Sequence, residues 1–348
     1  MKILVLNSGS SSIKYKVYNK DSLIELTSGI KEEVEDHAEG IERILTRLKK
    51  DNLIDDIKDI FCVGHRVVHG GDFFSKPTLI DNKVIQKIEK LCELAPLHNP
   101  ANLLGIKAVA KTLIGIPQVA VFDTAFHQSI PPQASFYPIP YEYYEKFHIR
   151  KYGFHGTSHE YVANEAAKQL KKDLNECNLI TLHLGNGASV CAIKNGKSID
   201  TSMGFTPLEG LMMGTRCGDI DPSVVFYLEN KLQCTRSEID TILNKKSGFK
   251  GLCGTNDLRE VIRLAKNGDD HAQLAIEIFI YRIKKYIGSY LMILGDVDAI
   301  VLTGGIGEHS QLVQNEIYKA TDKFELQHLV IPTNEELSIA IRAKEVVS

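Results

Sequence analysis

Two arginines stand in settings suited to anions. Arg66 lies in GHRVVHGG (64–71), a strand that ends in Gly70 and Gly71, and Arg216 lies in MMGTRCGDIDP (212–222), between Gly214 and Gly218. Glycines there let a ligand approach backbone and guanidinium together, and a planar guanidinium grips carboxylate or phosphate through paired hydrogen bonds. The alternative for each is a structural ion pair, for Arg216 with Asp219 or Asp221. IPTNEEL (331–337) adds a carboxylate. Thr333 and Glu336 match the S/T-x-x-E capping box, which gives Glu336 a structural duty and leaves Glu335 as an exposed first-turn carboxylate suited to magnesium. Asn7, at the end of the first strand, offers a neutral oxygen of the kind a hard cation accepts beside water and phosphate.

The elements that must position these groups begin with a repeat. ILVLNSGSSSIKYKVYNKDSL (3–23) and LITLHLGNGASVCAIKNGKSI (179–199) match at an offset of 176 positions: Leu6 with Leu182, Gly9 with Gly185, Asn19 with Asn195, Ser22 with Ser198. Each copy is an apolar run, a small-residue turn, an alternating run and a polar turn, which spells a β-hairpin. Small residues in the first turn let backbone N–H groups face an anion closely. Two such turns imply two similar lobes gripping a nucleotide polyphosphate. Between and after the hairpins, the pattern predicts helices near 38–50, 81–94, 101–113, 223–232, 237–245, 257–266 and 271–294, with a C-terminal helix from about Glu335. Buried strands are expected in IFCVGHRVVHGG, PQVAVFDTAFH, DAIVLTGG and HLVIP. KYGFHGTSH reads as a loop entering a helix capped by Thr157 or Ser158. Alternating helix and strand make the class α/β, in two domains: 1–122 with 336–348, and 123–335.

Composition narrows the function. A chain of 348 residues suggests about two cores, and 43% hydrophobic with 24% charged residues describes a globular protein. With 41 basic against 44 acidic residues, a nucleic-acid partner is not expected. Anionic substrates must be handled by local arginines. Seven scattered cysteines without a CxxC pair point to a reduced, cytoplasmic setting. The opening MKILVLNSGS is too short an apolar run for a signal peptide or membrane span, and no other stretch approaches a span. GKS (196–198) lacks the glycine spacing of a P-loop, and GGIG (304–307) is not GxGxxG. The pairs His65/His69 and His155/His159 lack the glutamate of HExxH, so zinc is not expected.

NSGSSSIK (7–14), GHRVVHGG (64–71), APLHNPAN (95–102), VFDTAFH (121–127), YGFHGTSH (152–159), HLGNGAS (183–189), TRCGDIDP (215–222), TGGIGE (303–308) and IPTNEE (331–336), in this order, resemble the acetokinase family. The resemblance implies the fold shared by acetate and sugar kinases, heat-shock chaperones and actin: two duplicated ribonuclease-H-like lobes with a central interlobe cleft. It implies a homodimer acting on acetate and acetyl phosphate with ATP or ADP and Mg²⁺ (or Mn²⁺). It assigns Asn7 and Glu335 to the metal and Lys14 to the nucleotide phosphates. The second phosphate loop would be His183, Leu184, Gly185, Asn186 and Gly187. Asp257, Leu258 and Arg259, with Gly305, Ile306, Gly307, Glu308 and His309, would hold the nucleoside and neighbouring phosphates. Arg66 and Arg216 would hold the carboxylate and the phosphoryl group, His155 would stabilise the transition state, and Asp123 would be the essential acid. Val68, Leu97, Phe154 and Pro207 would surround the acetate methyl. Three departures from the family pattern stand out: a shorter stretch between Lys14 and Arg66, His309 where asparagine is common, and Cys217 where serine is usual.

An acetate carboxylate needs no general base at neutral pH. The expected role of Asp123 is therefore to orient Mg²⁺, water or Arg216 rather than to take a proton. Direct in-line transfer would then rest on positioning and on charge around a metaphosphate-like transition state.

Overall fold

The computed structural model describes residues 1–348. The chain divides into two compact units, Met1–Gln128 with Gly156–Tyr161 and Asn334–Ser348, and Ser129–His155 with Val162–Thr333.

The first unit holds a six-stranded sheet of β1 (Lys2–Ser8), β2 (Ser12–Asn19), β3 (Glu25–Glu32), β4 (Ile60–Val67), β5 (Thr78–Leu79) and β6 (Gln118–Phe122), in the order β3-β2-β1-β4-β6-β5. β1 to β3 form an antiparallel meander, and β4 and β6 run parallel to β1. The period-2 alternation of β1 sends its residues to two cores. Leu4 and Leu6 pack with Ile13, Val17 and the helix His37–Lys50 through Ile41, Ile44 and Leu48. Ile3 and Val5 pack with Cys62, Val119 and the C-terminal helix Glu335–Val347 through Ile339, Ala340 and Ala343. That helix lies so close to β4 that a Cβ at Gly64 would stand 2.7 Å from Ile339 Cγ2.

The second unit holds β7 (Leu179–Leu184), β8 (Ala188–Lys194), β9 (Lys197–Thr201), β10 (Ala299–Thr303) and β11 (Gln327–Val330), in the order β11-β10-β7-β8-β9. Again three strands form an antiparallel meander and two more run parallel to its first strand. The repeat at offset 176 is therefore one topology used twice, an α/β ribonuclease-H-like sheet in each unit. The pairing is not identical. Leu6 faces Tyr15, whereas Leu182 faces Val190, one position earlier than the offset predicts, because the second turn is tighter.

Two helix starts differ from expectation. The C-terminal helix is capped by Asn334, whose Oδ1 accepts from Leu337 N–H at 3.1 Å. Thr333 thus lies outside the cap, and Glu336 pairs with Lys16 at 3.6 Å. The helix Gly156–Leu170 begins before Thr157, with His155 in the cap position at φ 56° and no side-chain cap bond. The Thr157 hydroxyl instead donates to Asp123 Oδ1 at 3.3 Å. The third strands β3 and β9 also escaped the sequence pattern. β3 is an edge strand whose charged, half-exposed residues hide its alternation.

Candidate active site

In open α/β sheets, ligand-binding groups gather beyond the carboxyl ends of parallel strands. In the first unit β1, β4 and β6 end together there, bringing Asn7, Arg66 and Asp123 to one edge. Asn7 faces Lys14 across the β1–β2 pair, and Leu6 sits beside His65 in the β1–β4 register, one residue before Asn7 and Arg66. Arg66 grips Asp123 with both prongs, Nε to Oδ1 at 3.2 Å and Nη2 to Oδ2 at 2.5 Å, and its Nε lies 3.6 Å from Glu335 Oε2. The Asp123 N–H donates to Val67 O, and its carbonyl accepts from Gly156 N–H at 2.8 Å. A Cβ at Gly156 would collide with that carbonyl, so only glycine fits there. Burial pushes the Asp123 carboxyl up, with the Glu335 charge adding to it, while the Arg66 guanidinium opposes both. Burial by itself would lower Arg66, but the charges of Asp123 and Glu335 hold it protonated. Asp123 therefore orients Arg66, a partner not among the Mg²⁺, water and Arg216 expected for it.

No group of three or more His, Cys, Asp or Glu forms a metal cage. The oxygen donors at this edge still suit magnesium, which takes one or two carboxylates and fills its shell with water and phosphate. Glu335 engages only Arg66, beyond hydrogen-bond distance, and the Asn7 amide bonds to no protein group.

In the second unit the end of β7 and the turn into β8 carry His183 to Gly187. His155 adopts a left-handed backbone conformation that non-glycine residues seldom take, a form of strain found at functional sites. Its ring stacks on His183 with centroids 4.2 Å apart, and its Nδ1 lies 2.9 Å from Ser189 Oγ. A Cβ at Gly187 would stand 3.5 Å from the His155 ring and 3.6 Å from Arg216 Nη1, so turn, imidazole and guanidinium meet at one point. Arg216 has no carboxylate partner. Its Nη1 donates to Pro207 O at 3.3 Å and reaches Met213 Sδ at 3.7 Å. Burial alone lowers its pKa. The alternative ion pairs are absent because both aspartates are committed elsewhere. Asp219 accepts from Tyr286 OH and Gly210 N–H, and Asp221 accepts from Ser223 N–H.

Beside this turn opens a cavity of about 910 Å³, lined by Gly185, Asn186, Asp257, Leu258, Arg259, Gly305, Ile306 and His309 among the expected residues. Asn256, Ile262, Lys266, Ser310, Gln311 and Leu312 line it too, and none of them is a site residue expected from the sequence. Ile262 and Lys266 follow one and two turns after Leu258 on the helix Leu258–Lys266, a spacing that could have flagged them. Leu184 and Gly307 are buried, and a Cβ at Gly307 would stand 3.7 Å from Leu184 Cβ. Glu308 Oε1 accepts from Gly304 N–H and Thr333 N–H, tying the start of its helix to the segment after β11. His309 is 81% exposed. Of the expected methyl-pocket residues, Val68 and Phe154 are buried, whereas Leu97 is 59% exposed. Pro207 is half-buried and lends its carbonyl to Arg216.

Support for the Val68–Gly70 loop also went unassigned in the sequence. Asn102 Oδ1 accepts from Val68 N–H, Asn99 Oδ1 from His69 N–H, and Thr124 Oγ1 from Gly70 N–H. Asn102 also donates to Ser8 O, joining that loop to β1.

The sequence profile of the acetokinase family matches residues 27–328. The chain belongs to the acetokinase family. The acetate kinase of Sulfurovum sp. (strain NBC37-1) is 48% identical over 393 aligned positions, covering 100% of this chain and 99% of the relative. The alignment is longer than this acetokinase itself. Among solved structures, the acetate kinase of Porphyromonas gingivalis superposes with TM-score 0.94 at 40% identity, covering 100% of both chains. A propionate kinase from Francisella tularensis subsp. tularensis SCHU S4 superposes equally well, at 41% identity and 99% coverage of each chain. No helix of the chain is long and apolar enough to cross a membrane.

Proposed function

We infer that this acetokinase is an acetate kinase, transferring the terminal phosphoryl group of ATP reversibly to acetate to give acetyl phosphate and ADP. The observation that carries this reading is Arg216: a half-buried guanidinium with no carboxylate partner, beside His155 and a glycine turn. Such a group is stabilised by an incoming anion. In phosphoryl transfer the charge on the equatorial oxygens spreads in the transition state, and fixed cations there do most of the catalytic work.

Acetate brings its own ionised oxygen, and both Asp123 oxygens are engaged by Arg66 and Thr157. Asp123 thus acts by holding Arg66 rather than by taking a proton. We assign Arg66, Arg216 and His155 to the acetate carboxylate and the phosphoryl oxygens. Lys14 and the segment His183–Gly187 are assigned to the ATP phosphates, and the 910 Å³ cavity, with Asp257, Leu258, Arg259, Gly305 and Ile306, to the nucleoside. Asn7 and Glu335 would hold Mg²⁺ or Mn²⁺, which neutralises phosphate charge when bound. The methyl group is assigned to Val68, Leu97, Phe154 and Pro207. The homodimer and a cytoplasmic setting belong to the same reading.

The equal likeness to a propionate kinase leaves the acyl preference to that apolar pocket. One methylene is worth about 1–3 kcal/mol, so propionate is the poorer substrate but is not excluded. The test is hydroxamate formation with MgATP, hydroxylamine and either acid. Acetate-dependent hydroxamate supports the reading, whereas ATP hydrolysis indifferent to acetate would assign the chain to the nucleotide-switch ATPases of the same fold.

A further inference from the structure

Away from the groups assigned to chemistry, a buried histidine braces the first phosphate turn. His37 opens the helix His37–Lys50 and is 5% exposed. Its Nε2 lies 3.0 Å from the carbonyl oxygen of Gly9. A carbonyl only accepts, so this nitrogen carries the proton and donates. The Val34 N–H donates to Ser11 O at 3.0 Å, and the Gly9 N–H donates to Ser12 O at 2.7 Å. Three carbonyls of Gly9–Ser12 are thus tied to the protein, while the N–H groups of Ser10 and Ser11 bond to nothing in the structure. The link is short: residues 33–36 alone join β3 to the helix, and Asp36 caps it through Ala38 N–H at 2.7 Å. Gly40 lets the helix press on the hairpin, since a Cβ there would stand 2.9 Å from Ile13 Cδ1.

In a planar trans peptide the C=O of one residue and the N–H of the next point in opposite directions. Holding Gly9 C=O toward His37 therefore turns Ser10 N–H outward. Glycine at position 9 would otherwise let that peptide flip at little cost. Consecutive outward N–H groups form an anion-binding concavity.

We propose that His37, assisted by the Val34 N–H, is a positioning residue for nucleotide phosphate, fixing the Gly9–Ser12 turn with its amides facing the anion. This rests on reading that turn as a phosphate site. His37 touches no substrate; it acts through the backbone it holds.

The test compares His37→Leu with His37→Gln, which keeps an N–H donor. We expect His37→Leu to raise the KM for MgATP about tenfold, the loss of one hydrogen bond held in the bound state. The KM for acetate and the Kd for adenosine, which has no phosphate, should stay within about twofold. His37→Gln should recover most of the MgATP affinity. Should His37→Leu fail to fold, His37→Asn, polar but too short to span the gap, carries the same expectation. A His37→Leu enzyme with unchanged KM for MgATP overturns the proposal. So does a loss shared equally by adenosine and acetate and not restored by glutamine, which would make His37 merely structural. If the parent enzyme itself binds MgATP no tighter than adenosine, the reading of the turn as a phosphate site is what fails.

Discussion

Arg216 and Arg66 should respond in opposite ways to the same substitution. The Arg216 guanidinium is half-buried against a carbonyl and a thioether, with no acid to offset its desolvation. A unit charge about 4 Å from an anionic oxygen is worth about 4 kcal/mol at an effective dielectric of about 20. If realised in the transition state, that is roughly a thousandfold in rate. We therefore expect Arg216→Leu to lower kcat by about 10³ while leaving the fold as stable as before, or slightly more so, because an uncompensated charge is removed. Arg66→Leu also loses turnover, but it strands Asp123, whose side chain is only 2% exposed. Removing one partner of a buried pair costs about 3–5 kcal/mol, so this variant should unfold at clearly lower urea. The assay is steady-state turnover coupled to ADP release, alongside urea titration of the same preparations. Arg216→Leu within about tenfold of parent turnover, or destabilised as much as Arg66→Leu, would refute the assignment of Arg216 as a charge awaiting an anion.

Three further outcomes follow from the structure. Burial holds His65 and His69 down to about 4, from 6.5; the unfolded chain therefore takes up their protons first, and stability present above pH 6.5 is lost as pH falls toward 4. The loss is at most roughly 3 kcal/mol for each histidine, and urea midpoints at pH 7.5 and 5 should show a slope that His65→Gln flattens. Glu335→Gln should raise the Mg²⁺ concentration for half-maximal rate roughly tenfold, because one of the two ligands proposed for the metal loses its charge; an unchanged metal titration would remove Glu335 from the site. Acetate should exceed propionate in kcat/KM by about tenfold or more, and Val68→Ala should narrow the gap; equal values in the parent enzyme would void the pocket assignment.

Much of this was legible because local chemistry announced it. The twin hairpins carry period-2 patterning and small-residue turns, and Arg216 stands out through its flanking glycines. What escaped was long-range or at an edge. Arg66 and Asp123 lie 57 positions apart, and nothing local tells that one grips the other. The braces Asn99, Asn102 and Thr124 are ordinary polar residues whose duty appears only once β1, β4 and β6 end side by side. Charged edges concealed β3, and Asn334 outcompeted Thr333 as a cap because its amide oxygen reaches the Leu337 N–H.

The central claim is that acetate attacks the phosphoryl group directly, with arginines supplying charge and no side chain acting as base or phosphoryl carrier. The stereochemical course at phosphorus tests it most directly, using ATP made chiral at the terminal phosphate with oxygen isotopes. We expect inversion, the mark of a single in-line displacement. Retention would require a phosphorylated side chain between two displacements and would contradict the mechanism.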